Sequence, residues 1–471
     1  MKKISVIVPC YNAENYIDRC VLSLVSQTMD LNALEYIFVN DASTDKTLDY
    51  LRKWEKKYPN TIIVIDCHVN HRTGGARNVG IKHSTGEYIG FMDNDDTVEP
   101  DMYESLYEIV KRYHCDVVAC LYERVSEDGR VYPLDMPVGK KDILVNCRQG
   151  KKGDVSDLPG EVWNKIYHRD LFFLNDLFFI EDLSYTENYW EPLMWYYIHS
   201  YYVIDRVLYH HIVNSKSIMM SDSFGMHEDR LQVEVSLLEE LERRGLEDIS
   251  SPEMECNFIC RYYINTLHLW FSRNSVLDYA VLRKMQKEIL TRYPNYLENE
   301  NWISVYSIEN TFLIATISAD FSNDMWKKIS KSYQNGEFDF QLFLSEEETL
   351  RLYITLYGKK FFSARFSITN AILEYLSDVE KVLAVSSEED YIFIRKEAII
   401  PSLTDIIIQD EELEEQMKKI FPGWSPGNHE KVSSLFRKLL SNDTSMDDYI
   451  KVVRSVIYEL ERRKEREKLR Y

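Results

Sequence analysis

Residues 4–41 read ISVIVPCYNAENYIDRCVLSLVSQTMDLNALEYIFVND. The opening ISVIV (4–8) is a short continuous apolar run, the pattern of a strand buried on both faces of a parallel sheet. Ile17, Cys20, Val21, Leu24 and Val25 then recur at helical spacing. A second apolar run, Tyr36 to Val39, closes on Asn40-Asp41. Strand, helix and strand in this order form the repeating unit of an open α/β sheet.

Downstream the alternation continues. Ser43-Thr44-Asp45 offer capping side chains ahead of KTLDYLRKWEKKY. A third strand is expected at Ile62–Ile65, ending at Asp66, and a short helix at Gly74–His83. Tyr88–Met92 reads as a fourth strand running into Asp93-Asn94-Asp95-Asp96. Pro100 opens another helix, and Val117–Leu121 is a fifth strand. Tyr11, Asn12, Asp41, Asp66, Asp93 and Asp95 thus fall just past strand carboxyl ends, the edge where open α/β sheets bind ligands. Turn chemistry alone accounts for single Asp and Asn residues in loops. It accounts poorly for three carboxylates within positions 93–96.

Composition narrows the function classes. A chain of 471 residues is long enough for two or three domains. Its 56 basic against 77 acidic residues give a formal charge of −21, which disfavours nucleic acid and anionic lipid as default partners. The eight cysteines form no C-x-x-C pair, so zinc is not expected. The amino terminus lacks a signal peptide's apolar core, and no apolar run reaches membrane-spanning length, so a cytoplasmic protein is expected. Neither G-x-G-x-x-G nor a Walker A loop is present, which disfavours dinucleotide oxidoreductases and P-loop kinases.

Clustered carboxylates repel one another unless a cation lies between them or one is protonated. Mg²⁺ or Mn²⁺ takes one or two carboxylates and completes its shell with water and phosphate oxygens. The DNDD turn therefore suits a metal-bound diphosphate. The preceding Arg72, Gly74, Gly75, Arg77 and Asn78 are expected to approach phosphates closely.

The strings VIVPCYNAENYIDRCVLSLVSQT, VNDASTDKT and NHRTGGARNVGIKHSTGEYIGFMDNDD, in this order, resemble family 2 glycosyltransferases over roughly residues 1–220. The resemblance implies an inverting, metal-dependent enzyme acting on a nucleotide-diphosphate sugar. It also implies a GT-A (Rossmann-like open sheet) catalytic domain over residues 1–222. Pro9, Tyr11 and Glu14 would shape the base pocket, and Asp41 would accept the uracil imide hydrogen bond of a UDP-sugar, with Asp66 at the same edge. Arg77 would lie near the nucleotide, and Asp93 would face the ribose or sugar with Asn94 beside it. Asp95 would ligate Mn²⁺ or Mg²⁺. Trp163-Asn164-Lys165 also matches the family and would bring Lys165 to the donor side.

The family's proton-abstracting carboxylate falls by spacing at Glu187, where Thr186-Glu187 stands in place of the usual Glu-Asp. A literal Glu-Asp pair, Glu181-Asp182, occurs five residues earlier, so Glu187 and Asp182 are both candidates, with Glu187 preferred. The departure also leaves room for a catalytically impaired, donor-binding scaffold subunit. A nucleotidyltransferase on a similar sheet is weakened by the lack of an early Gly-rich loop. Trp190, Met194, Tyr197, Ile198 and Tyr201 repeat at helical spacing and read as a core face of one helix. His211, in Tyr209-His210-His211 ahead of Ser217-Ile218, is a candidate for the diphosphate or the metal shell.

Residues 223–471 have fewer glycines and long periodic stretches such as RLQVEVSLLEELERRG and TLRLYITLYGKKFF, so a mainly helical region is expected. Its expected role is acceptor binding or homo-oligomer formation, with a sub-boundary near PGWSPGN (422–428). The acceptor would be a hydroxyl on a glycan, lipid-linked sugar or protein. KVVRSVIYELERRKEREKLRY (451–471) has eight basic and four acidic residues. Peripheral membrane contact is one reading of it, but the narrow apolar face favours an exposed helix.

Overall fold

The apolar runs of the first half pair into a mixed sheet of ten strands in the computed structural model. It describes residues 2–126, 128–132, 139–147, 158–213, 224–272, 277–299, 310, 313–314 and 316–334, with scattered positions between 379 and 455. The chain divides into two units, Met1–Ile249 and Ser250–Tyr471.

Strand β1 (Ile4–Cys10) lies between β2 (Leu34–Asp41) and β4 (Tyr88–Phe91), parallel to both, and β3 (Ile62–Cys67) extends the sheet beyond β2. Every residue of β1 and β2 is buried, because helices cover both faces; hence the uninterrupted apolar runs. The connecting helices are α1 (Ile17–Val25), α2 (Thr47–Lys57), α3 (Arg72–His83) and α4 (Met102–Tyr113). Ile17, Cys20, Val21 and Leu24 form the buried stripe of α1.

Past β4 the sheet departs from simple α/β alternation. The short β5 (Thr97–Val98) follows the acidic turn, and β6 (Val117–Ser126) follows α4. Two small strands, β7 (Val131–Tyr132) and β8 (Leu144–Asn146), come next. Strand β9 (Lys165–His168) inserts antiparallel between β4 and β6. The fourteen-residue β10 (Ser200–Val213) runs parallel to β6 and antiparallel to β5, and so returns the chain to the acidic turn.

The aromatic-rich stretch is not one helix. After α5 (Asp170–Leu174), helix α6 (Glu187–Met194) stops, and β10 starts at Ser200. Trp190, Met194, Ile198 and Tyr201 are buried as a core face would be, whereas Tyr197 is only half-buried. The β-branched and aromatic residues of SYYVIDRVLYHHIV favour a pleated surface, and their tertiary pairing overrides the coincidental helical spacing. Trp190 stacks on Phe179 at 4.6 Å and on Phe172 at 5.5 Å.

Helix α7 (Phe224–Arg243) belongs to the first unit, Met1–Ile249. The described part of the second unit is helical. It comprises α8 (Pro252–Ile259), a π turn (Cys260–Ile264), α9 (Asn265–Ser272), α10 (Tyr279–Arg292) and a helix over Asn323–Gln334. Ser251 caps α8, and Asp278 caps α10 through the Ala280 and Val281 amides. Ser217-Ile218, TLRLYITLYGKKFF, PGWSPGN and most of 451–471 lie outside the described residues. All eight cysteines are free, and no described helix is long and apolar enough to cross a membrane.

Candidate active site

The loops after β1 and β2 are tied to each other through their backbones. Asn12, at φ 50°, accepts from the Thr44 amide at 2.8 Å and donates its own amide to Ser43 Oγ at 3.1 Å. Asn tolerates this left-handed backbone better than most residues. Glu14 Oε2 accepts from the Lys46 amide at 3.0 Å, while the Glu14 amide donates to Asp45 Oδ2 at 3.1 Å. Asp45 Oδ1 in turn accepts from the Thr47 amide at 2.9 Å, next to the start of α2. Glu14 thus fixes loop shape. The Tyr11 ring, 46% exposed, stands clear of this network.

Asp41, buried at the end of β2, accepts from the His71 amide at 2.8 Å. Burial pushes its carboxyl up, against the lowering effect of that hydrogen bond. Asp66 accepts from Asn40 Nδ2 at 2.7 Å, and the Pro9 carbonyl accepts from Asn94 Nδ2 at 2.9 Å. An exposed ring and a buried carboxylate acceptor on one sheet edge can bind a planar, hydrogen-bonding group.

Strand β10 anchors the acidic turn. Asp96 is fully buried, accepting from the Ile212 amide at 2.7 Å and the Tyr209 hydroxyl at 2.6 Å, with His211 Nδ1 at 3.4 Å. Tyr209 and His211 both stack on Trp163, at 4.2 and 5.6 Å. Burial and the charges of Asp96 and Asp93 push the Asp95 carboxyl up to about 7. Asp93 is also pushed up, by burial and the Asp96 and Glu187 charges, with Arg77 opposing. Burial would lower the His211 pKa, but its bond to Asp96 and the surrounding carboxylates raise it.

Arg77, fully buried on α3, joins this turn to α6. Its Nη2 donates to Asp93 Oδ1 at 3.2 Å and its Nη1 to Glu187 Oε1. The guanidinium lies over the rings of Phe179 and Phe91, at 5.3 and 5.9 Å. Glu187, the first residue of α6, keeps its side chain 36% exposed. Burial pushes this carboxyl up, but Arg77 outweighs it and holds the group below the usual carboxylate range.

Three other expected site features are placed differently. The Gly74-Gly75 and Asn78 surface receives the chain's own segment 179–187 rather than an open phosphate path. Asn78 exchanges hydrogen bonds with the Phe179 backbone, both at 2.8 Å, and a Cβ on Gly74 would sit 2.5 Å from the Ile180 carbonyl. Lys165 is buried with its ammonium donating to the Pro159 and Glu161 carbonyls, and burial pushes its pKa down. Asp182 is exposed at φ 62°, and its charge acts on Asp41. The bond between Tyr209 and Asp96 that anchors the turn has no signature in the sequence. The DNDD run contains Asp96, but its hydroxyl partner lies 113 residues away.

Residues 5–172 match the family model for Glycosyl transferase family 2. The amino-terminal domain belongs to that family. Among relatives of this glycosyltransferase-family domain, the uncharacterized glycosyltransferase EpsJ of Bacillus subtilis (strain 168) is 34% identical over 173 residues. That alignment covers 36% of this chain and 48% of EpsJ. The poly(ribitol-phosphate) beta-glucosyltransferase of Bacillus spizizenii is 43% identical over 135 residues, 28% of this chain and 21% of that protein. The matched region thus spans about half or less of these relatives. The structure of S. aureus TarS 1–349 in complex with UDP-GlcNAc superposes with a TM-score of 0.55 at 24% identity. It covers 71% of this chain and 93% of that one. This likeness establishes the GT-A type of fold.

Proposed function

We propose that the chain is an inverting glycosyltransferase moving a sugar from a UDP-sugar to a hydroxyl acceptor in cell-surface polymer or glycoconjugate synthesis. The observation that carries the reading is Arg77, a buried cation bridging Asp93 of the acidic turn and Glu187 at the start of α6. It ties a carboxylate suited to proton abstraction to the turn suited to the departing diphosphate.

Tyr11 would stack on the base and Asp41 would accept from its imide. Glu187, kept ionised by Arg77, would take the acceptor hydroxyl proton; its low pKa sacrifices some basicity but keeps it unprotonated at neutral pH. Among the described residues no three His, Cys, Asp or Glu side chains form a ready metal site. Yet burial, with the charges of Asp96 and Asp93 added to it, pushes Asp95 up. These facts fit a cation held by Asp95, with His211 at its rim and donor phosphates completing the shell. Such an ion, Mn²⁺ or Mg²⁺, would stabilise the leaving diphosphate. The TarS complexes with UDP-GlcNAc and UDP, and the poly(ribitol-phosphate) glucosyltransferase relative, support a UDP-sugar and a polyol-phosphate class of acceptor.

The test is hydrolysis of a nucleotide-sugar panel with Mn²⁺ and no acceptor. UDP release from a UDP-sugar, abolished by EDTA, is expected. Failure of every nucleotide sugar with either metal would overturn the reading.

A further inference from the structure

Segment 175–187, which delivers Glu187 to the site, contains no helix or strand before α6 begins. It carries three non-glycine residues at positive φ, Asp176 (51°), Asp182 (62°) and Tyr185 (59°), a backbone that does not hold itself. Helix α7 grips it at both ends. Just past that helix, Arg244 donates to the Asn175 carbonyl at 2.6 Å and the Asp176 carbonyl at 2.9 Å. Near its start, Asp229 Oδ2 accepts the Ser184 amide at 3.1 Å. The same oxygen pairs with Arg72 Nη1, which also reaches Ser184 Oγ at 3.4 Å. Asp229 is only 17% exposed, so one shielded carboxylate oxygen ties α7, the amino end of α3 and the loop three residues ahead of Glu187.

We propose that Asp229 is a positioning residue for Glu187, and that α7, outside the family-matched residues 5–172, completes the catalytic unit. The inference rests on Glu187 being the proton acceptor. Asp229 touches none of the donor-side groups Tyr11, Asp41 or Asp95. Its loss lets the loop relax and misplaces the base; Asp41, which the Arg72 amide also reaches, is held chiefly by the His71 amide and changes less.

The test uses the full chain with Asp229→Asn, Asp229→Glu and Arg72→Gln. Transfer is measured with whichever UDP-sugar the wild type uses, UDP affinity by calorimetry, and folding by thermal melting. Misplacement by a fraction of an ångström to one ångström predicts that Asp229→Asn lowers kcat about 10- to 100-fold. UDP affinity should stay within about two-fold on the same physical grounds, and Asp229→Glu should recover much of the rate. Should Asp229→Asn fail to fold, Arg72→Gln, at a half-exposed side chain, carries the test with a smaller fall in kcat. Unchanged kcat in an active background overturns this inference alone. A joint fall of kcat, UDP affinity and melting temperature also overturns it, because that marks a general structural role. A wild-type chain that neither binds UDP nor transfers overturns the underlying function as well.

Discussion

The loops after β1 and β2 and the turn after β4 share one sheet edge, but different forces hold them. In the first region, Asn12, Glu14 and Asp45 each receive a backbone amide of the neighbouring loop. These bonds set shape. In the second, Asp93, Asp95, Asp96 and Glu187 gather around one buried guanidinium and one imidazole. Its carboxyls are displaced in opposite directions: burial and neighbouring carboxylates push Asp95 and Asp93 up, Arg77 only opposing this at Asp93, whereas at Glu187 Arg77 prevails and holds the group down. One region is fixed by loop-to-loop hydrogen bonds. The other is organised by charge, and so responds to whatever cation or anion enters it.

The largest expected effect separates the two regions by function. Glu187→Gln should lower transfer by about 10²- to 10⁴-fold, the usual contribution of a general base, with UDP binding preserved. Asp182→Asn should stay near wild type in the same steady-state assay. The reverse result would place the base on Asp182 and break the link between the charged cluster and catalysis.

Stability gives the next contrast. Arg77→Met leaves Asp93 and Glu187 without their shared counter-charge. It should reduce unfolding free energy by about 3 kcal/mol in urea titration, the low end for a broken buried pair because both carboxylates retain solvent contact. A neutral outcome would mean that the cluster is held by the Asp96 anchor alone. The smallest effect belongs to the first region. Asp45→Ala removes the acceptor for the Thr47 amide and should cost about 1 kcal/mol in thermal melting, with little change in transfer.

Much of the sheet was legible because double-sided burial imposes an apolar run that any reader of β1, β2 and β4 can see. The positions of Tyr11, Asp41, Asp93 and Asp95 past strand ends followed directly. The helical spacing over residues 190–201 holds only as far as Met194, because aromatic residues at that spacing are equally at home on a pleated strand, and pairing with β6 puts Tyr201 on β10. The expected phosphate cradle at Gly74-Gly75 failed for a related reason. Small residues announce a close approach but not which group approaches, and here it is the Ile180 carbonyl at Gly74 and the His71 side chain at Gly75.

The sequence by itself determined what acts over short range. It set the apolar periods, the Asp45 hydrogen bonds that brace the start of α2 and the crowding of carboxylates at 93–96. Tertiary structure decided how that crowding is resolved. Arg77 meets Glu187 across 110 residues, Asp96 meets Tyr209 across 113, and Arg72 meets Asp229 across 157. Charges attract according to distance in space, and only the folded sheet, by bringing β10 and α6 back to the end of β4, makes those distances short.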